Sequence, residues 1–219
     1  MAAEGSSVQA LKAREELCTA YWPPIYSFLR RKGHGPHDAE DLTQQFFVRI
    51  LTSDAFSRAD PAKGRFRSFL LGSLKHFLAD EFRKKTTQKR RGEIPAVQVD
   101  LSGAEEIYGQ QPDPSLTPEQ AYDRHWADTL LDLAFQKLRA EFKTAQQLDR
   151  FEVLKSYLPE ASASGEYEER ARQLGMTTSA LRVAVCRLRE RYRQLVREVV
   201  ADTLADSKDT NLELHDLFG

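Results

Sequence analysis

Residues 167–200 read YEERARQLGMTTSALRVAVCRLRERYRQLVREVV, and this stretch decides the fold. Its first part, Tyr167 to Leu174, has the composition of a short helix. It stops at Gly175, the residue type best able to take the left-handed conformation that closes a helix. Met176-Thr177-Thr178 then makes a turn, with a hydroxyl to cap the helix that follows. In that second helix Leu181, Val185, Leu188, Tyr192, Leu195, Val196 and Val199 recur at helical spacing, an apolar stripe about 100° wide. Outside the stripe stand Thr178, Ser179, Arg182, Cys186, Arg189 and Arg193, with Arg187 and Arg191 further round. A short helix, a glycine turn and a basic second helix form a helix-turn-helix, whose second helix enters the major groove of DNA. Hairpins of this kind are also common structural elements, and the excess of arginine is what favours DNA. Arg182, near the helix start, is placed for base edges; the later arginines are placed for phosphates.

Charge is partitioned along the rest of the chain. The 219 residues carry a formal net charge of −1, which by itself looks wrong for a nucleic-acid binder. From Lys63 to Gly92, however, ten basic residues face only Asp80 and Glu81, a net of +8. From Arg170 to Arg197 eight arginines face only Glu190, a net of +7. Between these blocks, Glu93 to Phe135 holds nine acids and a single base, Arg124, a net of −8. Single-sign blocks of this length read as partner surfaces more readily than as determinants of fold.

Hydrophobic residues make up 41% and charged residues 30% of the chain, enough apolar side chain for packed cores. Cys18 and Cys186 form no CxxC pair, so neither a disulfide framework nor a zinc site is indicated. No apolar run approaches the roughly 20 residues needed to span a bilayer, and no signal-peptide pattern is seen, so a reduced cytoplasm is the expected compartment. There is no HExxH, Walker loop or GxGxxG, and histidines 34, 37, 76, 125 and 215 do not gather on one helix face. No enzyme, metal or cofactor is expected.

A first helical stretch covers 11–33, with a break expected at Pro23-Pro24. Gly33-His34-Gly35-Pro36 is a turn, followed by Asp38 as candidate N-cap. Helices are expected at about 38–51, 64–85, 118–142 and 146–158, with two more around Gly175. Gly92 to Pro118, rich in proline and glycine and without sustained period, reads as a linker. No segment alternates like a strand. The fold class is therefore all-α, with two small helical domains joined by a flexible linker.

On the 38–51 helix, Ala39, Leu42, Phe46, Phe47 and Ile50 form a core stripe. Opposite lie Glu40, Asp41, Gln44, Gln45 and Val48. Such a face is most often simply solvated, but acids and amides without Lys or Arg suit a basic protein partner better than DNA, whose phosphates would repel it. On the 64–85 helix, Phe66, Phe69, Leu70, Leu74, Phe77 and Leu78 take the core face. Across from them lie Arg65, Ser68, Gly72, Lys75, His76, Ala79 and Arg83. Small residues there admit a nucleic-acid backbone while the cations offset its charge. Arg83-Lys84-Lys85 through Lys89-Arg90-Arg91 prolong that cationic surface.

Taken together these segments resemble the sigma factors of bacterial RNA polymerase, in particular the compact extracytoplasmic-function (ECF) type of the sigma-70 family. Asp38-Ala39-Glu40-Asp41-Leu42-Thr43-Gln44-Gln45-Phe46-Phe47 is similar to the family's "DAEDLxQxxF" signature. The stretch from Gly64-Arg65-Phe66-Arg67 to Arg91 is similar to the element that reads and opens the −10 promoter region. Gly165 to Arg193, with Tyr167, Glu169, Ala171, Gly175, Arg182 and Arg187 in register, is similar to the −35-reading module. The resemblance implies a region 2 bundle over 1–92, a linker over 93–117, a region 4 helix-turn-helix over 118–205 and a tail over 206–219. It implies polymerase docking through Asp38, Glu40, Asp41, Gln44, Gln45 and Val48. Arg65, Ser68, Lys75, His76, Arg83 and Lys84 would meet the −10 element. Thr177, Thr178, Ser179, Arg182, Val183, Cys186, Arg187 and Arg189 would meet the −35 element.

The implied partners are core RNA polymerase, double-stranded promoter DNA and its opened −10 strand, with no membrane. An anti-sigma factor, a regulatory kinase or the tail itself remain alternatives for control. The tail mixes acids with Leu212, Leu214, Leu217 and Phe218 and reads as a short docking helix. Departures from the family pattern bear on base preference: Phe69 in place of Trp, His76 in place of Asn, and Ala180, Val183 and Ala184 in place of Thr, Ser and Arg. A stand-alone helix-turn-helix regulator is the main rival, but it leaves the first ninety residues without a role. The sigma reading requires Gln44 and Arg65 to face outward and the arginines of the last long helix to stay clear of the chain's own carboxylates.

Overall fold

The computed structural model describes residues 18–52, 65–87, 101, 103–109, 113, 115–158, 167–204 and 206–219, with the backbone alone for 84–87 and 207. Residues 11–17, Lys63-Gly64, the Lys89-Arg90-Arg91 run, Gly165 and much of 93–117 lie outside the described residues. All described secondary structure is helical. Two compact units are present, one running up to Thr129 and including Thr203–Gly219, the other being Leu130–Asp202.

The first unit begins with α1, described from 18 to 31. The break expected at Pro23-Pro24 does not occur: the helix runs through both prolines. They offer no N–H, but Trp22, Ile25, Tyr26, Phe28 and Leu29 on either side are at most 5% exposed, and that burial outweighs the missing bonds. Gly33, at φ 93°, closes α1 with paired backbone bonds, Gly33 N to Arg30 O and His34 N to Leu29 O. These are the two bonds of a Schellman cap. Helix α2 spans Pro36–Thr52, with proline at its first position, so Asp38 sits inside the first turn and not at the expected N-cap. Its carboxylate still complements the positive end of the helix.

Helix α3 spans Phe66–Thr87 and sends Leu70, Leu74 and Phe77 into the core. The expected linker contains a helix, α4, Ala104–Gly109. Its Glu105 accepts hydrogen bonds from Tyr26 Oη (2.5 Å) and Arg30 Nε (2.7 Å), which fasten it to α1. Burial, together with the hydrogen bond to Glu105, pushes the Tyr26 hydroxyl well above its ordinary value. Helix α5, Pro118–Thr144, opens with a capping box, since Gln120 N donates to Thr117 Oγ1 and Thr117 N to Gln120 Oε1. Within this unit Trp126 is fully buried and stacks on Tyr21, with the Phe66 ring 5.8 Å away.

The second unit contains the rest of α5, then α6 (Leu148–Leu154) with a 3-10 turn Lys155–Tyr157, α7 (Tyr167–Gln173) and α8 (Thr178–Ala201). Leu130, Ala134, Leu138, Phe151 and Leu181 are fully buried and form its centre. The apolar stripe read from the sequence is the buried face of α8, where Leu181, Val185, Leu188, Leu195, Val196 and Val199 are all at most 9% exposed. After α8 the chain returns to the first unit. There a 3-10 turn, Ser207–Asp209, leads into a last helix, α9, Thr210–Phe218, in the tail.

Candidate nucleic-acid interface

The turn between α7 and α8 is built as its residues require. Gly175 has φ 63°, and the bonds Gly175 N to Arg172 O and Met176 N to Ala171 O form a second Schellman cap. Thr177 is extended and its hydroxyl accepts from Ala180 N at 3.2 Å, which makes it the N-cap of α8. Ser179, Arg182, Val183, Cys186 and Arg187 then line the exposed side of α8 in sequence steps of three and four. Val183 is 50% exposed, a large apolar side chain on an otherwise polar stripe. Arg182 lies over the Tyr167 ring, 5.5 Å from its centroid, which steadies its long stem. Thr178 is half-buried. Ala184, one of the departures from the family pattern, is 9% exposed and points into the unit, away from the stripe.

The arginines further along α8 do not stay clear of the chain's own acceptors, as the sequence reading required. Arg189 donates from Nε to the Tyr157 carbonyl at 2.8 Å. Arg191 makes ion pairs with Glu141 (2.5 Å) and Glu198 (3.1 Å), and Arg193 lies 3.8 Å from Glu190. The basic count of this block therefore overstates its exposed charge. The outward stripe ending near Arg187 is the part that stands ready for a ligand.

On α2, Asp38 and Asp41 are exposed, and Glu40, Gln44 and Gln45 are half-buried. Val48 corrects the sequence reading: it is 7% exposed and belongs to the core. With Val48 buried and Glu40, Gln44 and Gln45 only partly exposed, the acid-and-amide face is narrower than periodicity alone implies. Arg49, exposed on the same helix, pairs with Asp80 of α3 at 2.5 Å, and Asp80 also holds Arg83. Those two hydrogen bonds keep the Asp80 carboxyl below the usual aspartate range.

On α3, Ser68, Lys75, His76 and Arg83 are exposed as expected, and the Lys84 side chain lies outside the described residues. Besides Arg83, held by Asp80, two more of the cations are engaged within the unit. Lys75 pairs with Glu119 at 2.9 Å, which lowers the Glu119 carboxyl. Arg65 is ion-paired with Asp216 and lies 2.7 Å from Glu213. The hydrogen bond to Asp216 raises the Arg65 guanidinium further and lowers Asp216. The requirement that Arg65 face outward is met only in part, since its side chain is 32% exposed.

Sequence reasoning missed two residues here. Phe82 is 71% exposed and borders a cleft shared with Lys32, Lys75 and Leu78. Its position beside Arg83, off the core stripe, was the available signal. Arg67, 12% exposed, is held by Asp123 and Glu213, acids that lie 56 and 146 residues away in the chain. Among the described residues no His, Cys, Asp or Glu cluster could hold a metal ion, and no helix is long and apolar enough to cross a membrane. The two cysteines form no disulfide; Cys18 is buried and Cys186 exposed.

Residues 17–88, covering α1 to α3, match the family model Sigma-70 region 2. The chain is 27% identical over 194 residues to the ECF RNA polymerase sigma factor SigE of Mycolicibacterium smegmatis, covering 89% of this chain and 65% of that protein. It is 28% identical over 164 residues to the ferric citrate uptake sigma factor FecI of Escherichia coli K12, covering 74% of this chain and 79% of that one. The chain thus spans just under two thirds of the length of the first relative. No solved structure matches it. With region 2 matched on α1 to α3 and both relatives aligned over most of the chain, residues 17–88 carry a Sigma-70 region 2 domain, and the chain beyond it is similar to ECF-type sigma factors.

Proposed function

We propose that this chain is a non-catalytic transcription initiation factor of the bacterial cytoplasm, which binds core RNA polymerase and directs it to promoters. The exposed acids and amides of α2, centred on Asp41, form the polymerase handle. The basic face of α3 takes the −10 element and its opened strand, and the stripe of α8 from Ser179 to Arg187 reads the −35 element in the major groove. The first DNA module lies within residues 1–92 and the second within 118–205. Two modest DNA contacts carried on one chain bind together more tightly than either alone through effective concentration. Strand opening follows from differential binding, because holding unpaired bases favours the open state without chemistry by this chain. No cofactor is required. An anti-sigma factor or a kinase would supply control from outside.

The observation that carries this reading is the outward stripe on α8, which begins directly after a capped glycine turn on a chain whose α1 to α3 match region 2. A gel shift with genomic fragments, run with and without core polymerase, tests it. The reading expects a stable shifted complex only when polymerase is present. An equally strong shift by this chain alone would favour a stand-alone helix-turn-helix regulator.

A further inference from the structure

Helix α9 turns an acid inward beside the half-buried Leu214 and Leu217. Leu212 and Phe218 are 59% and 42% exposed, while the carboxylate of Glu213 is 1% exposed. The buried acid lies 2.7 Å from Arg65 Nη1 and 3.0 Å from Arg67 Nε, and Asp216 also holds Arg65. Just upstream, the carbonyl of Thr203 accepts the N–H of Phe66, the first residue of α3. Thr203 and α9 together therefore satisfy both the cations and the leading N–H at one end of the basic helix. A helix N-terminus flanked by arginines also attracts anionic oxygen in general.

We propose that α9 is a built-in competitor for the nucleic-acid backbone, its carboxylates occupying the Arg65 end of the basic face until promoter DNA displaces them. This rests on the promoter-binding reading of α3. Carboxylate and phosphate make charge-assisted bonds of the same kind with a guanidinium, so exchanging one for the other is close to balanced. The two acids divide the work by depth. Asp216 is 46% exposed on an arginine that is itself 32% exposed, so it sits where an incoming phosphate can replace it. Glu213 meets Arg67, 12% exposed and also held by Asp123, and serves as the anchor. Because α9 follows α8 on the same chain, it competes at the high local concentration of a tethered ligand.

The test uses the full chain with core RNA polymerase from the same organism and a pool of genomic fragments. Transcript yield is read at limiting factor, comparing wild type with Asp216→Asn. Amide hydrogen exchange over residues 210–218 is read in the free wild-type protein and in its complex with polymerase and DNA. The proposal expects Asp216→Asn to raise yield roughly twofold to fivefold, the range of a surface ion pair. It also expects protection of 210–218 to fall in the complex. Unchanged or lower yield with Asp216→Asn, or full protection retained in the complex, would make α9 a permanent brace and overturn it. If the wild-type chain stimulates no transcription, the promoter-binding reading itself fails, and the competitor falls with it.

Discussion

Glu213 of α9 lies 3.0 Å from Arg67 of α3, a carboxylate 1% exposed against a guanidinium 12% exposed, contributed by residues 146 positions apart. A buried acid of this kind is tolerated because two arginines meet it; removing it leaves both short of a partner in a partly dry site.

Glu213→Ala is therefore expected to destabilise the first unit by about 2–3 kcal/mol, below the full range for a buried pair because Asp123 and Asp216 still serve the two arginines. Urea unfolding followed by tryptophan fluorescence checks this, since Trp22 and Trp126 both lie in that unit. A midpoint equal to that of wild type would show that the pair contributes nothing.

His125 provides a pH signature. It is 3% exposed, and its Nε2 has no hydrogen-bond partner among the described residues. Burial pulls it below its ordinary value of 6.5; Asp128 opposes the shift, and Arg31 and Arg124 add to it. The folded state thus takes up a proton less readily than the unfolded one. The stability this provides is present above pH 6.5 and is lost as pH falls toward the folded value, by at most about 1.4 kcal/mol per unit. Comparing unfolding free energies of wild type and His125→Gln from pH 7.5 downward should show a shallower fall in the variant. Parallel curves would contradict the assignment.

Much of this was legible locally. Gly33 and Gly175 marked two helix ends, and Thr177 one helix start, because caps are written in a few adjacent residues. The apolar stripe of α8 was readable because period 3.6 survives over 24 residues. Helix α4 was not legible: six residues are too few to show a period, and its hold on α1 comes through Glu105, whose partners Tyr26 and Arg30 are some 75 positions away. Val48 was misread because periodicity gives the direction of a side chain but not how far the neighbouring helices wrap. The partners of Arg65, Arg67, Lys75 and Arg191 were invisible for a related reason, since local charge counts ignore acids brought in from elsewhere.

Asp41 is the exposed centre of the α2 face and makes no contact that holds the fold in the described structure. Asp41→Lys is expected to weaken capture of core polymerase by tenfold or more while leaving the circular dichroism spectrum unchanged. Undiminished capture would move the handle elsewhere.

Arg182 is the first arginine of the outward stripe of α8. Arg182→Ala is expected to relax base choice at one −35 position, with discrimination there falling by about 1–3 kcal/mol. Competition assays with single-base promoter variants measure it. An equal loss on every sequence would reassign Arg182 to a phosphate.

Run-off transcription from genomic fragments, with purified core polymerase in the presence and absence of the chain, bears most directly on the claim that this all-helical protein carries polymerase to promoters. The account predicts discrete transcripts that appear only when the chain is added and that share upstream sequence at two spaced elements. The same background of transcripts with and without it, or their repression, would contradict the account.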